Sequence, residues 1–186
     1  MEQVELGRTG WEVSRMGMGA MPLSIRERPE WEEGKRVVQH AVRLGVRFID
    51  TADAYCLHEG EIGHNERLVA EALEEIGARG RVVVATKGGL VRPGGRWERN
   101  GRPKHLRAAC EQSLRALGVE AIDLYQLHAP DPEVPFEDSV GEISRLWEEG
   151  KVRAVGISNV TLEQVHVAQE IVEVTSVQNR YNPWDR

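Results

Sequence analysis

A strand-like apolar run followed by an amphipathic helical stretch, repeated along the sequence, limits what this chain can fold into more than any other feature. Val46–Asp50, Arg81–Thr86, Ile122–Leu127, Val152–Gly156 and Glu173–Gln178 read as strands, and Met16–Gly19 as a shorter one. Helical patterns over Glu30–Leu44, Glu66–Ile76, Pro103–Leu117 and Pro135–Glu149 separate them, each followed by a stopping glycine (Gly45, Gly77, Gly118, Gly150). A further helix starts at Thr161, where Glu163 and Gln164 stand ready to help cap it, and Pro103 suits the first turn of its helix. Strands that alternate with helices in this way run parallel, each helix serving as a crossover. Ahead of the alternation, Val4–Leu6 and Trp11–Ser14 flank Gly7-Arg8-Thr9-Gly10 and predict a hairpin, and Leu90–Gly101 reads as a loop rich in Gly, Arg and Pro.

Composition narrows the function classes. The chain has 186 residues, which predicts one domain over 1–186, and a net charge of -6, which argues against a phosphate-binding nucleic-acid surface. No apolar run approaches the ~18 residues of a membrane span. The opening MEQVELGRTGWEV has no apolar segment of signal-peptide type, and Cys56 and Cys110 form no CxxC pattern. The expectation is a cytoplasmic chain with two free thiols and no membrane partner.

A doubly wound sheet and a barrel share the same alternation. Two features favour the barrel. The first strand-to-helix turn reads GMGAMP, without the GxGxxG phosphate loop of a dinucleotide-binding sheet. Polar residues also follow strand after strand, and in a barrel those positions converge on one mouth. Asp50 ends the second strand, with Tyr55 five residues on; Lys87 ends the third, His128 the fourth, Ser158-Asn159 the fifth and Gln178-Asn179 the sixth. A phenol near an ammonium is expected to have a lowered pKa, and a carboxylate beyond would hold that ammonium charged. Asp50, Lys87 and Tyr55 form such a relay, and His128 could orient a substrate oxygen, together a tuned acid–base site for a carbonyl that becomes an alcohol.

Five segments carry a resemblance. FIDTADAY (Phe48–Tyr55), ATKGG (Ala85–Gly89), DLYQLH (Asp123–His128), GKVRAVGISN (Gly150–Asn159) and SVQNRYNP (Ser176–Pro183) follow in the order and spacing of aldo-keto reductase motifs, and LGRTGWEVSRMGMGAM resembles that family's opening hairpin and first strand. The resemblance implies an α/β fold of the (β/α)8 TIM-barrel type, incomplete, with about six βα strands and an N-terminal β-hairpin. It implies an NAD(P)H-dependent oxidoreductase that reduces a small-molecule aldehyde or ketone, NADPH being favoured over NADH. Tyr55 would be the general acid, tuned by Lys87 and Asp50, with His128 positioning the carbonyl. Ser158, Asn159 and Gln178 would hold the nicotinamide carboxamide, Gly19, Ala20 and Met21 would lie beside the cofactor through backbone contacts, and Asp50 borders the same place.

Strands 7 and 8 of such a barrel are absent from this sequence. The first and sixth strands are therefore expected to keep unpaired edges, so an oligomer, or a further segment completing the barrel, is expected. An alternative reading follows: a non-catalytic partial-barrel subunit that associates with another chain. Elsewhere, His58, Glu59, Glu61 and His64 lack the HExxH spacing, and no metal is expected. Trp97 could equally line a substrate pocket or pack on a surface loop. Cys56 beside Tyr55 shows no sign of activation.

Overall fold

The structure, a computed structural model, describes residues 1–185. Its centre is a six-stranded parallel sheet formed by β3 (Met18–Gly19), β4 (Phe48–Asp50), β5 (Val83–Gly88), β8 (Ile122–Leu127), β9 (Val152–Ser158) and β10 (Val174–Gln178). Neighbours follow chain order, from β3 at one edge to β10 at the other. Five helices make the crossovers: α1 (Trp31–Arg43), α2 (His64–Glu75), α3 (Pro103–Leu117), α4 (Phe136–Glu148) and α5 (Leu162–Ile171). This is a partial (β/α)8 barrel, and among the described residues β3 and β10 each keep one edge unpaired.

Local chemistry explains the element ends. Pro103 opens α3, and Gly118 ends it in the left-handed conformation at φ 66°, which a side chain would disfavour. Thr161 and Gln164 form a reciprocal capping box on α5. The segment 90–101 departs from the expected plain loop. A small antiparallel ribbon forms there, β6 (Leu90–Val91) against β7 (Glu98–Arg99), across a turn at Pro93–Gly95. Two-residue strands carry no period long enough to reveal them in sequence.

The outer layers hold most of the core. Tyr125, Leu127, Val155 and Ile157 pack against Leu106, Val140, Ile143 and Leu146 of α3 and α4, while Ile49 packs with Val38, Leu68, Val69 and Leu73 of α1 and α2. The concave face carries a smaller apolar cluster. Ala85, Leu124 and Ala154 share a cluster there with Phe48 and with Leu6 and Trp11. Leu6 and Trp11 come from the hairpin of β1 (Gln3–Glu5) and β2 (Glu12–Ser14), which stoppers the barrel floor at the strands' starting ends.

Gly88 marks the tightest fit between sheet and helix. A Cβ there would run into the hydroxyl of the fully buried Tyr125 and press on Ala109 of α3. Gly88→Ala is expected to lower the unfolding free energy by about 1–3 kcal/mol, read from the urea midpoint. Adding Tyr125→Phe, which clears the colliding oxygen, should restore part of it; a Gly88→Ala chain as stable as the parent contradicts this packing.

Candidate active site

The strand ends deliver their polar side chains to one rim. Lys87, on β5, is 1% exposed. Its ammonium donates to Asp50 Oδ2 on the adjacent β4 at 2.7 Å, to the Thr51 carbonyl at 2.9 Å and to the Tyr55 hydroxyl oxygen at 3.1 Å. The ion pair to Asp50 Oδ1 measures 2.6 Å. All three ammonium protons therefore have acceptors, which a buried charge requires. Because Lys87 donates to the tyrosine oxygen, the phenolic proton is left to point elsewhere. Tyr55 lies 6% exposed in the turn after β4, its ring edge-on to His128 at 5.5 Å between centroids.

Electrostatics at this cluster depart from the expected tuning. Burial raises the Tyr55 pKa above its ordinary value, and the carboxyls of Asp50 and Asp53 raise it further. Lys87 does not reverse this, since burial lowers its own pKa and the charge of Asp50 only partly offsets that. The result is a phenol kept protonated, the state a proton donor needs. His128 is pushed down to about 3 by burial and by the Lys87 charge, so its ring is neutral at ordinary pH. Its backbone is fixed from both sides: its N–H donates to the Gly88 carbonyl at 2.9 Å, and its carbonyl accepts from Asn159 Nδ2 at 2.9 Å.

The remaining residues singled out in the sequence sit around this rim. Ser158 ends β9 and donates to the Gln178 carbonyl at 2.8 Å, and Asn159 follows in the left-handed conformation at φ 57°. Gln178 ends β10 and, with Gly19 and Asp50, lines a cleft of about 400 Å³ whose other wall comes from the hairpin residues Val4, Leu6, Val13, Ser14 and Arg15. Nothing lies within 4 Å of where a Cβ on Gly19 would stand. Met21 is partly exposed, whereas Ala20 is fully buried. The Ala20 backbone is also engaged: its N–H donates to the Asp50 carbonyl at 2.8 Å, and its carbonyl accepts from Asn65 Nδ2 at 2.8 Å. Trp97 does two things at once, stacking on Arg92 at 3.7 Å and meeting the Tyr55 ring at 6.4 Å.

The histidines and glutamates of the segment 58–64 go to separate partners. His58 accepts from the Gly60 N–H at 3.2 Å, Glu61 pairs with Arg28 at 2.7 Å, and His64 meets Ser24 Oγ at 2.8 Å. Among the described residues no group of three or more His, Cys, Asp or Glu side chains is gathered as a metal site would need. Both cysteines are buried, and burial pushes the Cys56 thiol up to about 11.

Sequence reasoning missed a second buried layer. Asn65 is fully buried and ties three segments together, accepting from Thr51 Oγ1 at 2.6 Å and donating to Ser24 Oγ at 2.6 Å and to Ala20. Glu66 and Asp53 lie behind the rim, 0% and 2% exposed. Thr86 Oγ1 donates to Glu66 at 2.6 Å. Burial raises the Glu66 carboxyl to about 7, against the lowering pull of the Thr86 and Ser113 hydroxyls, and burial with the nearby Glu66 lifts Asp53 well above the carboxylate range. The signal was present for Glu66: it shares the stripe of Val69, Ala70 and Leu73 on α2, where a charge is out of place.

Two titrations follow. The folded chain holds the Glu66 proton up to about pH 7, while an ordinary glutamate loses it near 4.5. Between those values the folded state binds more protons, so stability falls as pH rises. Glu66→Gln should gain about 3 kcal/mol relative to the parent on going from pH 4.5 to pH 8, measured by urea unfolding; a pH-independent difference would contradict it. For His128, the ring proton signals in NMR should keep neutral positions down to about pH 4, since the folded ring titrates near 3, whereas an ordinary imidazole is half-protonated near ~6.5. A midpoint above 6 would show that the ring is not desolvated as described.

Comparisons with known proteins give the family and the fold. The family model described as "Aldo/keto reductase family" matches residues 15–186. A Glycine max protein named "Probable aldo-keto reductase 1" is 36% identical over 189 residues, covering 100% of this chain and 53% of that protein. Among solved structures, the glycerol dehydrogenase of Gluconobacter oxydans superposes with a TM-score of 0.86 at 32% identity, over 99% of this chain and 56% of that one. An aldo-keto reductase from Bacillus halodurans in its holo form gives 0.82 at 29% identity, over 97% and 58%. The chain thus spans little more than half the length of these relatives, and it belongs to the aldo/keto reductase family.

Proposed function

We propose that this chain carries the acid–base half of an NAD(P)H-dependent oxidoreductase that reduces aldehydes or ketones to alcohols. The observation that carries this reading is the three-way contact of Lys87 with Asp50 and Tyr55, with His128 at the edge of the phenol. Tyr55 donates its proton to the carbonyl oxygen, Lys87 holds the phenol oxygen in place, and Asp50 keeps Lys87 charged and fixed. His128, neutral at working pH, donates a hydrogen bond that orients the same oxygen.

The rim suits a nicotinamide. Gly19 and Gln178 both line the cleft of about 400 Å³, and Gly19 brings no side chain to it. Ser158, Asn159 and Gln178 would hold the carboxamide, and Gly19 and Met21 would flank the ring; Ala20, with its backbone already engaged, would support that edge from behind. When bound, the cofactor supplies the hydride. NADPH is the form favoured, a preference that rests on family membership. The glycerol dehydrogenase relative supports alcohol–carbonyl interconversion, and the holo-form relative supports a bound cofactor.

A second reading, a non-catalytic subunit that associates with another chain, is favoured by the unpaired edges of β3 and β10 among the described residues. Titration with NADPH followed by fluorescence, with mass measured alongside, separates the two. The reductase reading expects saturable binding, and Tyr55→Phe should cut the rate of aldehyde reduction by about 10²–10⁴-fold with NADPH affinity unchanged. An unchanged rate in Tyr55→Phe overturns the reductase reading. A chain that binds no NADPH yet forms a defined oligomer establishes the second.

A further inference from the structure

β3 is the shortest strand of the parallel sheet and, among the described residues, one of its edges. It pairs with β4 at two positions, Met18 with Ile49 and Gly19 with Asp50. A ladder that short leaves the chain beyond it free to open unless another group ties it down. Met18 and Gly19 nevertheless line the cleft from β3, beside Asp50, which takes the Lys87 charge from β4.

Asn65 supplies the tie. It is the second residue of α2 and is fully buried. Its Nδ2 donates to the Ala20 carbonyl at 2.8 Å and to Ser24 Oγ at 2.6 Å, both in the turn after β3. Its Oδ1 accepts from Thr51 Oγ1 at 2.6 Å, in the turn after β4. A carbonyl only accepts, so the Ala20 contact fixes which way the amide faces. On one side of Asn65, the Thr51 carbonyl takes a Lys87 proton at 2.9 Å. On the other, the Ala20 N–H donates to the Asp50 carbonyl at 2.8 Å. A single amide therefore spans from a residue that touches the ammonium to the peptide that follows Gly19.

The proton accounting continues outward. Ser24 Oγ accepts from Asn65, and among the described residues its other partner is His64 Nδ1 at 2.8 Å. Ser24 donates to that nitrogen, so neutral His64 carries its proton on Nε2.

We propose that Asn65 is a positioning residue for carbonyl reduction: it fixes the turn after β3, at the cofactor edge of the cleft, relative to the Lys87–Tyr55 pair, across a strand pairing too short to do so alone. Hydride and proton must reach adjacent atoms of one carbonyl, and a misplacement of about 1 Å is enough to slow such a step. The role in reduction rests on the reductase reading above; the tie between the two turns does not.

The test compares the whole chain with Asn65→Ala and with Ile143→Ala, a core truncation on α4 that lowers stability away from the cleft. In Asn65→Ala the Ala20 amide should exchange with deuterium about tenfold faster or more, and NADPH, followed by fluorescence, should bind about fivefold more weakly or worse. Ile143→Ala should change neither. Nitrogen NMR of the parent should find His64 Nδ1 unprotonated at pH 8. If Asn65→Ala does not fold, Thr51→Val, which removes only the hydroxyl donor, should speed Ala20 exchange about threefold or more. Unchanged Ala20 exchange in the variant that folds, equal acceleration in Ile143→Ala, or a proton on His64 Nδ1 would each overturn the proposal, as would unchanged NADPH affinity in a variant whose parent binds it. A parent that binds no NADPH counts against the reductase reading, and the exchange measurement still decides the tie.

Discussion

A lysine ammonium sealed from water has to be answered locally, and Lys87 organises the site because it is. Its three protons go to a carboxylate, a carbonyl and a phenol, on β4 and in the turn that follows it. Removing Asp50 would strand a charge in the interior, at a cost of several kcal/mol, whereas losing the Tyr55 oxygen would leave one N–H unpaired at a smaller cost. The register that brings Asp50 beside Ala85, one strand over and two residues before Lys87, is thus coupled to the chemistry. Strand pairing and charge pairing enforce each other.

The fold was legible because its signal is periodic. Six strands and five helices fall where apolar runs and glycine stops put them, with ends differing by a few residues, as between Val46–Asp50 and the shorter β4. The strand-end set Asp50, Lys87 and His128, with Tyr55 in the turn after Asp50, was legible for a related reason: in a parallel barrel the end of a strand is a place, and one polar residue after another at that place converges. The ribbon of β6 and β7 was not legible, because two-residue strands leave no pattern.

Electrostatics were less readable than position. Sequence places an ammonium near a phenol and so suggests a lowered tyrosine pKa. It does not show how deeply both are buried, nor that Asp53 lies close enough to act on the same hydroxyl. Desolvation decides the sign, and desolvation is a property of the folded neighbourhood. The same holds for Arg92, which in sequence is one arginine of a loop rich in them and in the fold is a buried cation against Trp97. Glu66 lies between these cases: its helical phase marks it as inward-facing, but not what meets it there.

The concave lining of Ala85, Ala154 and Gly156 has a consequence for the rim above it. Gly156 leaves its space to Gln126 and Ser176 from the two flanking strands, so the sheet can bend tightly there. A Cβ on Gly156 would collide with both neighbours, so enlarging this one position would push β8 and β10 away from β9 and carry His128 and Gln178, at their ends, with them.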